Sequence, residues 1–163
     1  MKITKIVVVL IALLIAAPLF AQNAPSDKPA SNKQLLMDKI KADKKLVVAE
    51  NMQLTEAEAK GFWPVYEAYQ KDLGILNDRT AATIKSYAEA WNTKTITNEK
   101  AKKMTAEMLA IQADEVKLMK SYVPKLDKVL SAVKVARYLQ IENKIRAMVK
   151  YELAEGIPLV PGK

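Results

Sequence analysis

Leu54-Thr55-Glu56-Ala57-Glu58-Ala59-Lys60-Gly61-Phe62-Trp63-Pro64-Val65-Tyr66-Glu67-Ala68-Tyr69 is the stretch that decides the predicted fold. Thr55 and Glu58 have the spacing of a capping box, in which each side chain bonds the backbone N–H of the other residue at a helix start. Apolar residues then recur at steps of three and four, which predicts an amphipathic helix. Pro64, beside Gly61, predicts a kink or a restart of that helix near Phe62.

The same pattern continues in both directions from this stretch. Towards the C-terminus the helix is predicted to run to Trp91-Asn92, which makes it unusually long. Towards the N-terminus, Leu36, Ile40 and Val47 share one face of a first helix from about Lys33 to Asn51. That helix has few apolar residues, so we expect it to dock on another element.

Two more helices are predicted after a short polar turn at 92–96. Thr97 caps a third helix, which Pro124 should bend or stop, and Ser131 caps a fourth, which should end at Gly156. The apolar stripe of the third helix consists of Met104, Met108, Ile111, Leu118 and Tyr122, widened by Leu109, Val116 and Met119. The stripe of the fourth consists of Tyr138, Ile141, Ile145, Met148 and Val149.

The predicted fold is therefore all-α, with four helices. Short connections favour antiparallel neighbours. We expect a long, bent antiparallel helical hairpin with shorter flanking helices. A single helical domain at 33–156 would be followed by an extended tail at 157–163.

The first 32 residues indicate export. Lys2 and Lys5 precede an apolar run at 6–17, and small residues follow, as in a secretory signal peptide. We expect residues 1–21 to be removed, with cleavage after Ala24 as the second choice, and 22–32 to form a flexible tether. An uncleaved membrane anchor is the alternative, but the run is shorter than the roughly 20 residues that span a bilayer. The expected location is the periplasm.

The chain has no histidine and no cysteine. The commonest general base, the commonest transition-metal ligand and any lipid-modified cysteine are thus excluded. Met104 and Met108 could approach copper(I), but methionines four residues apart more often fill a core. We predict no catalytic residue, no metal site and no cofactor, and a binding protein rather than an enzyme.

Aromatic residues and methionines supply the candidate binding surface, which comprises Phe62, Trp63, Tyr66, Tyr69, Met104 and Met108. Phe62 and Tyr69 fit the core stripe of the second helix, whereas Trp63 and Tyr66 are expected off it. Trp63 could dock the first helix, a second subunit or a client chain, and docking of the protein's own helix is the favoured interpretation.

The box Leu54, Thr55 and Glu58, in a basic exported helical chain, resembles the LTxxQ motif of the Spy/CpxP family. Glu58 stands where that family usually has Gln, and either side chain completes a capping box. The resemblance implies a cradle-shaped antiparallel homodimer in the periplasm. It also implies an ATP-independent chaperone or an inhibitor of envelope-stress sensors. Some relatives bind metals through His or Cys, which this chain lacks.

Net charge restricts the classes of binding partner that we expect. The formal charge is +8, with lysines spread along every predicted helix. Such a chain attracts unfolded or acidic proteins, or weakly an anionic membrane surface; nucleic acid is not expected in the periplasm. The leading hypothesis is a chaperone-like client-binding protein. The alternatives are a regulatory adaptor on an envelope sensor domain and a structural protein that binds anionic lipid.

Overall fold

The computed structural model describes residues 43–162, and within this range the chain is helical and contains no strand. The leader, the tether and the first ten residues of the predicted first helix lie outside the described residues. Four helices are present here: α1 (43–52 of the described range), α2 (Glu56–Asn92), α3 (Asn98–Leu126) and α4 (Ala132–Gly156). The predicted all-α fold is confirmed.

Side-chain caps begin the three long helices at the predicted residues. Thr55, Thr97 and Ser131 each accept a hydrogen bond from the backbone N–H three residues later, at 3.3, 3.2 and 3.4 Å. At Thr55 the box is complete, because its own N–H donates to Glu58 Oε2 at 2.8 Å. These bonds satisfy backbone donors that have no partner within the helix.

The predicted restart near Phe62 is wrong, because α2 runs unbroken through Pro64. Pro64 and Lys60 are both exposed. The carbonyl of Lys60, which a proline four residues later leaves without a helical donor, can therefore bond to water. The prediction that Pro124 bends or stops its helix agrees better with the structure, because α3 ends two residues later, at Leu126.

The two long helices are antiparallel, as predicted. Arg79, near the middle of α2, bonds Glu107 and Asp114 on α3. Asp72 precedes Arg79 on α2 but accepts a hydrogen bond from Tyr122, which follows Asp114 on α3. A short connection joins them as predicted; it spans 93–97 and not 92–96.

Helix α4 lies alongside α2 and runs parallel to it. Lys134, at its start, bonds Glu58 near the start of α2. After its end, the carbonyl of Pro158 accepts from the hydroxyl of Tyr87 at 2.8 Å, close to the end of α2. Helix α1 runs antiparallel to both and packs on their first halves.

The core lies where these four helices meet. It consists of Val47, Val48, Met52, Phe62, Tyr66, Tyr69, Leu73, Tyr122, Leu126, Leu130, Val135, Tyr138, Ile145 and Val149. Among the described helices, none combines the length and apolarity needed to span a membrane.

Candidate functional site

The aromatic residues of the quoted stretch form the centre of the core. Phe62, Tyr66 and Tyr69 are buried, and their rings contact Tyr138 of α4 with centroids 5.0, 6.1 and 6.3 Å away. The expectation that Tyr66 lies off the stripe is wrong. Both α1 and α4 cover α2 here, so a wider arc of the helix is buried than one neighbour would bury.

Trp63 docks the protein's own first helix, which confirms the favoured interpretation. It is half-buried, and Lys45 Nζ of α1 lies 5.0 Å from its ring centroid. The same ammonium group bonds Glu67 one turn later, at 2.6 Å. Of the predicted binding surface, the four aromatic residues are therefore committed to internal packing, and only the two methionines lie outside the main core cluster.

A buried polar cluster joins α1, α2 and α4. Glu142 is fully buried, and its Oε2 lies 2.8 Å from Lys44 Nζ, which is also buried. Its Oε1 accepts from Gln70 Nε2 at 2.8 Å and from the Tyr138 hydroxyl at 3.2 Å. Lys44 Nζ donates in addition to Gln70 Oε1 at 2.9 Å. The two charges are thus paired, and both oxygens of Glu142 accept hydrogen bonds, as a buried carboxylate requires.

The cluster also affects the ionisation of neighbouring tyrosines. Burial, reinforced by the negative charge of Glu142, raises the pKa of Tyr138 and that of Tyr66 far above the ordinary value. The same causes raise the pKa of Tyr69 to about 12. These phenols are neutral core groups at physiological pH, which leaves none of them available as a base.

Sequence reasoning missed this cluster, although a signal was present. Glu142 stands four residues after Tyr138 and three before Ile145, which places it on the apolar stripe of α4. A carboxylate inside such a stripe is buried and therefore needs a cationic partner. Lys44 lies on the buried face of α1 and provides that partner.

The motif residues Leu54, Thr55 and Glu58 lie where the connection between α1 and α2 meets the start of α4. Glu58 bonds Lys134 of α4, and the same lysine donates to the carbonyl of Gln53 at 3.2 Å. The Lys134 ammonium and the Thr55 backbone N–H lower the pKa of Glu58 to about 2. Leu54 packs against the core. In this structure the motif therefore serves helix capping and interhelical contact.

The face of α3 directed away from the other helices carries exposed apolar side chains. We call Met108, Leu109 and Val116 the α3 outer face; they are 53, 60 and 55% exposed. Leu109 and Val116 are seven residues apart, and so lie on one side of the helix two turns from each other. Exposed lysines, Lys102, Lys117 and Lys120, accompany them. Met104, one turn before Met108, is half-buried.

A groove of about 470 Å³ lies between α2 and α4. Its apolar lining includes Leu73, Ile75, Ile145, Val149 and Leu153. On the α3 side, Glu115 pairs with Arg146 and, at 2.8 Å, with Lys150. The groove is thus an apolar channel with ionic side chains at its border.

The described residues include no group of three or more acidic, histidine or cysteine residues placed to hold a metal ion. Two carboxylates of α3, those of Glu107 and Asp114, are paired with Arg79 of α2.

Comparison with protein-family models, with curated proteins and with solved structures found no match. The resemblance to the Spy/CpxP family rests on the box at Leu54 to Glu58 and on the plan of the chain.

Proposed function

We propose that this chain is a periplasmic, ATP-independent client-binding protein of the envelope stress response, and that it holds unfolded or acidic chains on the α3 outer face. The observation that carries the proposal is the exposure of Met108, Leu109 and Val116 on one helix, beside lysines. Exposed apolar side chains that lie together on a helix are a recurrent feature of interaction sites.

The chemistry of the α3 outer face suits a weak and general contact. Apolar side chains bind the hydrophobic segments that an unfolded protein exposes, and Met108 adapts its shape to different ones. Lysines attract acidic segments and add a contribution that salt screens. Small apolar patches of this kind give modest affinity, so a client can leave without energy from a nucleotide.

The predicted export and the family resemblance support the same proposal. The leader predicts export, and the capping box resembles that of helical periplasmic proteins that include ATP-independent chaperones. The formal net charge is +8 for the full sequence and falls to +6 when Lys2 and Lys5 leave with residues 1–21, so the exported protein still attracts acidic chains.

The test is the aggregation of a denatured, acidic client, followed by light scattering with increasing amounts of the exported protein. The protein should slow aggregation at near-stoichiometric ratios. Leu109→Gln combined with Val116→Gln should weaken this effect. The matched control is Val133→Gln, because Val133 is also exposed but lies at the start of α4. The control should retain full activity.

Two results would contradict the proposal. One is unchanged aggregation at every ratio. The other is equal loss of activity in the α3 variant and in the Val133 control. Specific capture of one envelope sensor domain, without any effect on aggregation, would favour a regulatory adaptor instead.

A further inference from the structure

All sulfur atoms of this chain belong to methionine, because the sequence contains seven methionines and no cysteine. No thiol therefore competes with the thioethers for an oxidant. A thioether that takes up one oxygen atom becomes a sulfoxide, which is polar where the original side chain was apolar. What such a change does to the protein depends on where each methionine lies.

Four of the five methionines between residues 43 and 162 are shielded to some degree. Met52 is 1% exposed and belongs to the core cluster. Met148 is half-buried and packs against that cluster. Met104 and Met119, both on α3, are half-buried as well. An oxidant must reach the sulfur atom, so reactivity is expected to follow exposure.

Met108 differs from these four. It is 53% exposed, and it belongs neither to the core cluster nor to the partly buried residues packed against it. It adjoins Leu109 on the α3 outer face, and Val116 lies about two turns further along. Water can therefore hydrate a sulfoxide at this position while the core stays as it is.

We propose that Met108 is a reversible oxidation site, and that its conversion to the sulfoxide by a peroxide weakens client binding on the α3 outer face. The sulfur attacks one oxygen of hydrogen peroxide, an S–O bond forms, the O–O bond breaks and the second oxygen leaves as water. The sulfur is oxidised by two electrons, and the peroxide is reduced by the same two. The effect on clients rests on the proposed function, whereas the oxidation of Met108 does not.

The polarity of the sulfoxide explains the weaker binding. Covering it with an apolar client segment removes water from a strong acceptor, and the apolar segment offers no donor in return. The exposed lysines of the α3 outer face keep their charges, so the electrostatic attraction for acidic segments persists. Binding by the oxidised protein should therefore be weaker and more sensitive to salt than binding by the reduced protein.

The contrast between Met108 and Met52 separates this regulation from oxidative damage. A sulfoxide at Met52 would have to lie in the core, where an unpaired polar group destabilises the fold. Increasing peroxide should thus abolish client binding first and the fold only later. Methionine sulfoxide reductases reverse the first step, because they return the sulfoxide to the thioether.

The experiment treats the exported protein with increasing hydrogen peroxide and locates the added oxygen by peptide mass spectrometry. The background variant is Met37→Leu, because Met37 lies outside the described residues. Met108 should be oxidised before the other four. When Met108 alone is oxidised, Tm should be unchanged. Suppressing the aggregation of a urea-denatured acidic model protein should then require roughly five times more protein, as expected if about half of a methionine's burial is lost.

Two further variants in this background identify the sulfur atom responsible. Met108→Leu keeps an apolar side chain without a thioether, so aggregation should be suppressed equally well before and after peroxide. Met119→Leu is the matched control, because it removes a half-buried methionine from the same helix and should leave the sensitivity to peroxide intact.

Three results would overturn the proposal. They are the oxidation of another described methionine before Met108, a fall in Tm that accompanies the oxidation of Met108, and full peroxide sensitivity in the Met108→Leu variant. If the reduced protein never slows aggregation, the proposed function fails and its regulation fails with it. The peptide map still decides in that case whether Met108 is the first site of oxidation.

Discussion

Glu142 offers the sharpest test of how the described helices are held together. Its carboxylate is fully buried and is the only acidic partner of Lys44 among the contacts described. Glu142→Leu would leave the Lys44 ammonium buried with one neutral acceptor, Gln70 Oε1 at 2.9 Å. Lys44→Met would leave the carboxylate buried with only neutral donors.

The expected loss in the free energy of unfolding follows from the difference between breaking a buried ion pair and replacing both of its members. Breaking such a pair by removing one partner costs about 3–5 kcal/mol, whereas replacing both by apolar residues is often neutral or stabilising. Each single variant should therefore lose about 3–5 kcal/mol in the free energy of unfolding. For a domain of this size that corresponds to a decrease in Tm of roughly 10–20 °C.

The assay is chemical unfolding of the wild type, both single variants and the double variant, followed by circular dichroism. The double variant, Lys44→Met with Glu142→Leu, should be more stable than either single variant and close to the wild type. If the two losses simply add in the double variant, the pair does not act as one unit and the reasoning is refuted.

Other expected outcomes concern individual contacts. Gly61→Ala should destabilise the fold by about 1–3 kcal/mol in thermal unfolding, because its Cβ would lie 2.9 Å from Val129 Cγ1; a gain in stability would contradict this. Since the pKa of Glu58 is lowered from 4.5 to about 2, its bond to Lys134 stabilises the fold above pH 4.5, and this contribution disappears as the pH falls towards 2. Glu58→Gln keeps the cap, so the difference in Tm from the wild type should be constant above pH 4.5 and vanish near pH 2. The raised pKa of Tyr69 predicts stability lost between pH 10 and 12, so the fall in Tm over this range should be smaller in Tyr69→Phe than in the wild type; an equal fall in both proteins would contradict it.

Local signals in the sequence predicted the secondary structure well. Thr55, Thr97 and Ser131 are capping residues directly before periodic apolar segments, and each begins a helix. Helix ends at Asn92 and Gly156 also agree with the prediction. Such signals depend on neighbouring residues only, so they can be read without knowledge of the packing.

Features that depend on several helices at once were harder to predict. Tyr66 was expected off the core stripe, because the pattern of one helix does not show that two others cover it. Glu142 and Lys44 come from distant parts of the chain, and neither position alone identifies its partner. Pro64 does not restart the helix as one of the two predicted outcomes requires, and the exposure of Lys60 and Pro64 could not be read from one helix's pattern.

The prediction of the candidate binding surface was limited for the same reason, because it depends on how several helices pack. Phe62, Trp63 and Tyr69 have the composition of an interaction site, but the structure uses them for internal packing. The residues that widen the α3 stripe, Leu109 and Val116, are exposed instead. Amphipathic periodicity identifies the apolar arc of a helix; it does not reveal how much of that arc neighbouring helices cover.

Photocrosslinking would show directly whether clients bind the α3 outer face. A photoreactive amino acid placed at Val116 or, as the control, at Val133 would report which exposed site contacts a denatured client. We expect an adduct from position 116 and little or none from position 133. Equal yields from both positions, or an adduct from position 133 alone, would contradict it.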